Sequence, residues 1–206
     1  MAIEIFDNAG DTIVADWLEI RLNAALAEAG AEGIAITVPG GSTPFPILAL
    51  LAARPIDWAR ISVWPGDDRM VAEDHPASNV GRIRVLLEPA GARIVALTEA
   101  ARPPHFAVAW LGMGEDGHVA SLFPSADPRP DDPRPLRRNT PEPLPPEAPF
   151  DRLTLTIPAL LDSDVLIFVI RGAAKQALFR AAAAGECDLP VARVLRAATQ
   201  EVTCFT

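Results

Sequence analysis

Cysteine is scarce in this sequence: the two residues, Cys187 and Cys204, lie far apart and in no metal-like spacing. That excludes a disulfide framework and a cysteine-built metal centre, and reads as two free thiols. Long hydrophobic runs are missing as well, since no stretch reaches the roughly 18 uninterrupted apolar residues of a membrane span. The first ten residues carry two acids before any apolar run, so they do not read as a secretory signal. A cytoplasmic protein without a membrane partner is expected. Nor is there a basic excess. With 18 Lys and Arg against 27 Asp and Glu, the net charge is −9. A protein that coats nucleic acid usually needs the opposite balance to displace counterions, so no nucleic-acid partner is expected. A small anionic ligand stays open, because a few local donors outweigh a distant field.

What is present fits one globular domain spanning residues 1–206. Half the residues are hydrophobic and 22% are charged, and a chain of this length can bury roughly 70% of its extended surface without staples. Proline is the exception, at 21 residues, ten of them within the 26 residues Pro124–Pro149. That density predicts a long surface excursion in which neither strand nor helix survives.

The rest of the chain alternates short apolar runs with helical periodicity. Strands are expected at Ile3–Phe6, Ile34–Val38, Ile61–Trp64, Arg93–Leu97, Phe106–Leu111, Leu153–Ile157 and Val165–Ile170, with a final edge strand at Val202–Phe205. Helices are expected at Asp11–Ala29, closed by Gly30, from Pro44 after a Ser42 or Thr43 cap, from His75-Pro76 to Leu87, and at Ala173–Ala184. Continuous rather than alternating apolar strands belong to sheets buried on both faces. The expected fold class is therefore α/β, a doubly wound, mostly parallel sheet with helices on both faces.

Three polar segments each follow directly on an expected strand, and in such sheets the carboxyl ends of the strands line the ligand crevice. The first is Gly40-Gly41-Ser42-Thr43-Pro44, whose glycines let backbone N–H groups approach a ligand at a helix N-terminus, an anion site. It lacks the lysine of a P-loop and the third spaced glycine of a dinucleotide fingerprint. The second is Asp67-Asp68-Arg69, where an acid would hold Arg69 and turn its planar fork toward an anionic oxygen. Ser78-Asn79 stands nearby to add hydrogen bonds. The third runs from Leu111 through Gly112-Met113-Gly114-Glu115-Asp116-Gly117-His118 into Val119-Ala120-Ser121-Leu122-Phe123. It is a tight loop that offers His118 as a general base and Asp116 to orient it. His75 and His105, each beside proline and outside such a loop, read as structural. Lys175 sits in the first turn of a helix, where a cation opposes the dipole unless an anion joins it.

Together these segments, in this order from about residue 34 to residue 175, resemble the 6-phosphogluconolactonases, whose superfamily also contains glucosamine-6-phosphate deaminase. The Gly112–Pro124 string carries most of the likeness, and its Ser121-Leu122-Phe123-Pro124 ending favours the lactonase branch. The resemblance implies hydrolysis of 6-phospho-D-glucono-1,5-lactone to 6-phosphogluconate in the oxidative pentose phosphate pathway, without metal or other cofactor. The chain's partner would be that small molecule, and a monomer is expected. The catalytic residues would be His118, Asp116 and Arg69. Substrate and phosphate would be bound by Gly40, Gly41, Ser42, Thr43, Asp67, Arg152 and Lys175. The sequence departs from the pattern at Asp68, where a longer acid is usual, at Ala72, in the shortened Leu97–Phe106 stretch with no helix ahead of the next strand, and in its proline-rich excursion. The alternatives are a sugar-phosphate isomerase or deaminase, which would release ammonia from an aminosugar phosphate, and a sugar-phosphate sensor without catalysis.

Overall fold

The computed structural model describes residues 3–144, 146 and 148–206. Met1 and Ala2, at the start of the expected domain, and Pro145 and Glu147, in the proline-rich excursion, lie outside the described residues. In chain order the elements are β1 (Ile3–Phe6), α1 (Asp11–Glu28), β2 (Ile34–Val38), α2 (Pro44–Ala52), β3 (Ile61–Pro65), β4 (Asp67–Arg69), α3 (Asn79–Leu87), β5 (Arg93–Ile94) and β6 (Val108–Leu111). They continue with β7 (Leu136–Asn139), β8 (Arg152–Leu155), α4 (Ile157–Leu161), β9 (Val165–Val169), α5 (Ala173–Ala183), α6 (Pro190–Ala197) and β10 (Glu201–Phe205).

Seven strands form one sheet in the order β1-β10-β9-β6-β2-β3-β5, every pair parallel. Alternate residues of its strands feed two separate cores. Val165, Ile167 and Val169 face α1, α2 and α3, where Leu18, Leu22, Leu26, Leu48, Leu51 and Ile83 close the first core. Leu166, Phe168 and Ile170 face α4, α5 and α6, where Leu160, Phe179, Val194 and Leu195 close the second. Burial on both faces is what makes these strands read as unbroken apolar runs, and each such side chain contributes about 1.5–3 kcal/mol on leaving water. From β2 the chain winds outward to β3 and β5; from β6 it winds the other way, to β9 and β10. The carboxyl ends of β2 and β6 therefore flank the switch point, where such sheets open a crevice.

The sequence-based expectations need correction at several elements. β10 is not an edge strand, because β1 covers its outer side. The helix expected from His75 begins only at Asn79, because its first free N–H groups are taken by the Asp68 carboxylate while the Ser78 hydroxyl caps the Gly81 N–H at 3.1 Å. Ser42 and Thr43 do not cap α2, whose N-terminus has no side-chain partner. Two helices, α4 and α6, were not anticipated. In α6 the signal was present, a proline at the first position followed by the buried Val191, Val194 and Leu195.

The proline-rich excursion holds a strand after all. The proline-free Leu136-Arg137-Arg138-Asn139 becomes β7, which pairs antiparallel with β8, and β8 with β4, in a second sheet of order β4-β8-β7. Prolines flank it because β7 is an edge strand, where missing N–H donors cost no ladder bond. Between β5 and β6 there is no helix. Extended chain replaces it, with Val95, Leu97 and Ala101 packed on the second core.

Candidate active site

At the switch point the structure opens a cavity of about 370 Å³. Its wall includes the three loops singled out in the sequence: Gly40–Pro44 after β2, Gly112–Met113–Gly114 with His118 and Ser121 after β6, and Asp67 with Arg69 on β4. Arg152 from β8 and Lys175 from α5 complete its polar side. Close packing joins the first two loops, since a Cβ on Gly112 would come within 3.2 Å of Pro39 Cβ.

The His118 loop is a pinched turn closed by an antiparallel bridge between Met113 and Val119. Gly114 N–H donates to His118 O at 2.9 Å and Gly117 N–H to Gly114 O at 3.1 Å. Gly117 sits at φ 78°, and a Cβ there would meet the Leu189 side chain, so glycine is required on both counts. From the other side, Val191 N–H of α6 donates to Gly117 O at 3.0 Å. The unforeseen helix thus backs this loop. Ala120, at φ 51°, turns the chain so that the Ser121 hydroxyl donates to the buried Asp67 carboxylate. The Ser121 N–H donates to Thr154 Oγ1 at 3.1 Å, and Asn139 Nδ2 donates to Ser121 O at 2.8 Å. The second sheet fixes the His118 loop from below.

His118 Nδ1 lies 2.6 Å from Asp116 Oδ1. The imidazole beside it holds the Asp116 carboxyl below its usual range, so Asp116 is an ionised acceptor and Nδ1 carries the proton. Nε2 is then the basic nitrogen. Gly114 is tight against the ring, since a Cβ there would overlap Cε1 and Nδ1, and Phe123 covers the imidazole at 4.9 Å between centroids.

The Asp67-Asp68-Arg69 segment is arranged differently from expectation. Neither acid holds the Arg69 guanidinium. Asp68, buried, spends its carboxylate on the N–H groups of Asn79 (2.6 Å), Val80 (3.0 Å) and Arg69 itself (2.8 Å). Burial still pushes its carboxyl up. The guanidinium is instead held by Ala77 O at 2.8 Å and Asn79 Oδ1 at 3.3 Å, and its Nε is buried without a partner. Arg152, almost fully buried, donates to Phe150 O and Ala148 O.

Gly40, Gly41, Ser42 and Thr43 line the cavity at the uncapped start of α2, and Lys175 lines it from α5, whose N-cap residue, Gly172, also offers no side-chain cap. Pro44 and Pro46 leave Phe45 as the one N–H donor among the first three residues of α2, while the start of α5 has no proline; two such helix N-termini beside a lysine favour an anion. Lys175 is the only lysine among 18 basic residues, a signal that composition held and residue-by-residue reading passed over. Arg171, also unforeseen, lines the cavity but is paired with Asp11 at 3.1 Å. His75 is structural, its Nδ1 accepting the Ala77 N–H at 3.0 Å. Among the described residues no group of three or more His, Cys, Asp or Glu is placed to hold a metal ion, and no helix is long and apolar enough to cross a membrane.

Comparison with known proteins places the chain in a family. The family described as glucosamine-6-phosphate isomerases/6-phosphogluconolactonase matches residues 11–101 and 88–204, two stretches that overlap over residues 88–101, around β5. A 6-phosphogluconolactonase of Pseudomonas aeruginosa is 39% identical over 201 residues, covering 86% of this chain and 83% of that one. One from Pseudomonas putida is 36% identical, covering 83% and 78%. The crystal structure of a 6-phosphogluconolactonase from Thermotoga maritima superposes with a TM-score of 0.81 over 99% of both chains at 23% identity, which speaks for the fold.

Proposed function

The chain belongs to the glucosamine-6-phosphate isomerase/6-phosphogluconolactonase family, and from that premise we propose that it is a lactone hydrolase opening 6-phospho-D-glucono-1,5-lactone to 6-phosphogluconate in the oxidative pentose phosphate pathway, with His118 as general base. The observation that carries this reading is the Asp116–His118 pair at 2.6 Å, set in the same cavity as Arg69, Arg152 and Lys175.

In the proposed mechanism His118 Nε2 takes a proton from a water, and the hydroxide attacks the lactone carbonyl. Asp116 fixes the tautomer and stabilises the imidazolium that forms. The tetrahedral oxyanion draws on Arg69, which lines the cavity, and on backbone N–H groups of the glycine loop. Collapse breaks the bond from the carbonyl carbon to the ring oxygen, and the imidazolium returns its proton to that oxygen. The 6-phosphate lies against Gly40, Gly41, Ser42, Thr43 and Lys175, with Arg152 adding charge from β8. Asp67 keeps one carboxylate oxygen on Ser121 and offers the other to a sugar hydroxyl, not to the phosphate.

The decisive experiment is a coupled assay on freshly generated lactone, corrected for spontaneous hydrolysis. Turnover by the native chain, and its loss in a folded His118→Asn variant, is the expected result. Turnover by the variant equal to that of the native chain refutes His118 as the base, and ammonia release from glucosamine 6-phosphate refutes the lactonase reading.

A further inference from the structure

Arg69 sits beside two acids and is neutralised by neither. Asp68 is fully occupied by backbone N–H groups and the Ser78 hydroxyl, while Asp67 holds the Ser121 hydroxyl on one carboxylate oxygen and makes no ion pair with Arg69. The groups that do orient the guanidinium are uncharged: a backbone carbonyl, Ala77 O, and a side-chain amide, Asn79 Oδ1. Asn79 is 1% exposed and touches every part of the arrangement. Its Nδ2 donates to Asp67 O at 2.9 Å, its own N–H is held by Asp68, and its amide fills the space under the phosphate loop so closely that a Cβ on Gly40 would overlap it.

We propose that Asn79 is a positioning residue that aims the Arg69 guanidinium through a neutral acceptor, so that its positive charge is spent on the substrate oxyanion and not on the protein. The proposal rests on the role given to Arg69 above. An acid of the same shape would fit the space and would hold the arginine more firmly, since hydrogen bonds between ionised partners are roughly twice as strong as neutral ones. It would also cancel the field that the developing oxyanion needs, and it would face Asp67 O without a donor. The amide satisfies both neighbours at once: Oδ1 accepts from Arg69 and Nδ2 donates to Asp67.

The test compares Asn79→Asp, Asn79→Ala, Arg69→Gln and the double variant Asn79→Asp/Arg69→Gln in the lactone assay, with folding followed by circular dichroism and thermal melting. Asn79→Asp keeps the shape, so KM is expected within about 3-fold of the native value while kcat falls on the order of 10²-fold near pH 8. The loss should shrink as pH drops and the introduced carboxyl is protonated. Asn79→Ala, which frees the arginine without neutralising it, should lose only about 10-fold. In the double variant the Asn79 change should add nothing to Arg69→Gln. Full activity in Arg69→Gln would break the assignment of Arg69. A normal loss in Arg69→Gln with kcat within 2-fold of native in Asn79→Asp would overturn the proposal itself, as would losses that multiply in the double variant or show no pH dependence. Should Asn79→Asp not fold, an Asn79→Ala enzyme with native kcat overturns it equally.

Discussion

Two histidines in this molecule stand beside aspartates, at opposite ends of the same sheet, and only one of them keeps a ring nitrogen clear of a carboxylate. At the carboxyl ends of the strands, His118 has one nitrogen bound to one acid, Asp116, and a ring about two-thirds covered. At the amino ends, His105 has both nitrogens engaged, Nδ1 with Asp162 at 2.7 Å and Nε2 with Asp164 at 2.9 Å, and its ring is half exposed. The two carboxylates raise its pKa, favouring its charged form, and the ring clips the shortened segment to the turn before β9. One orienting acid leaves a basic nitrogen free; two acids consume it. The cavities follow the same logic. The one near His105 is larger, about 890 Å³, yet it mixes Glu28, Arg60, Arg93 and Asp164 with no uncapped helix start. Size does not mark the site; convergent chemistry does.

The comparison breaks most visibly if the two histidines are exchanged in importance. His118→Gln should lower kcat by about 10²–10⁴-fold, whereas His105→Gln should leave lactone turnover unchanged; both are read from the corrected coupled assay. Next in size is the acid. Asp116→Asn leaves the ring without an ionised acceptor, and a kcat loss on the order of 10–10²-fold is expected with KM little moved. The cation at the far wall comes third. Lys175→Ala should raise KM for the phosphorylated lactone by about 10-fold or more, the worth of a charge-assisted hydrogen bond, while hydrolysis of the unphosphorylated lactone stays as it was.

A smaller effect sharpens the contrast at the other end. Because the His105 pKa is raised in the folded state, its contribution to stability is fully present below the unfolded value of about 6.5 and lost as pH rises through the folded value. Thermal melts of His105→Gln should therefore sit below native at pH 5.5 and converge with it at alkaline pH. The gap should be no more than about 1 kcal/mol, or 2–4 °C, since the cluster is exposed. Least of all is the thiol chemistry. Burial pushes Cys204 up to about 12, so a thiol reagent should label the half-exposed Cys187 alone in the native protein and both cysteines in denaturant.

Much of the site was legible because its chemistry is local. Gly40–Pro44, Asp67–Arg69 and Gly112–Phe123 each announce a strand end by glycine and charge, and the parallel sheet brings all three to one crevice. Less legible were the elements defined by pairing. β7 hides among prolines because its four residues become a strand only when β8 lies alongside, and α6 is short enough that its apolar spacing carries little weight without the His118 loop it supports. The partner of Arg69 was misjudged for a similar reason. Adjacent acids in sequence look like an arginine's natural hold, but on a strand Asp67 and Asp68 point to opposite sides, one toward Ser121 and the other toward the start of α3.

The sequence alone determined the layered α/β order, the three segments that line the crevice and the candidate for the base, because periodicity and glycine placement act over a few residues. Only the tertiary structure decided which groups remain unpaired. It assigned the two carboxylates to backbone and hydroxyl donors, left the Arg69 Nε without a partner, and set the single lysine beside two uncapped helix starts. Whether a charge is spent inside the protein or kept for a substrate depends on which neighbours reach it first, and those neighbours come from distant parts of the chain.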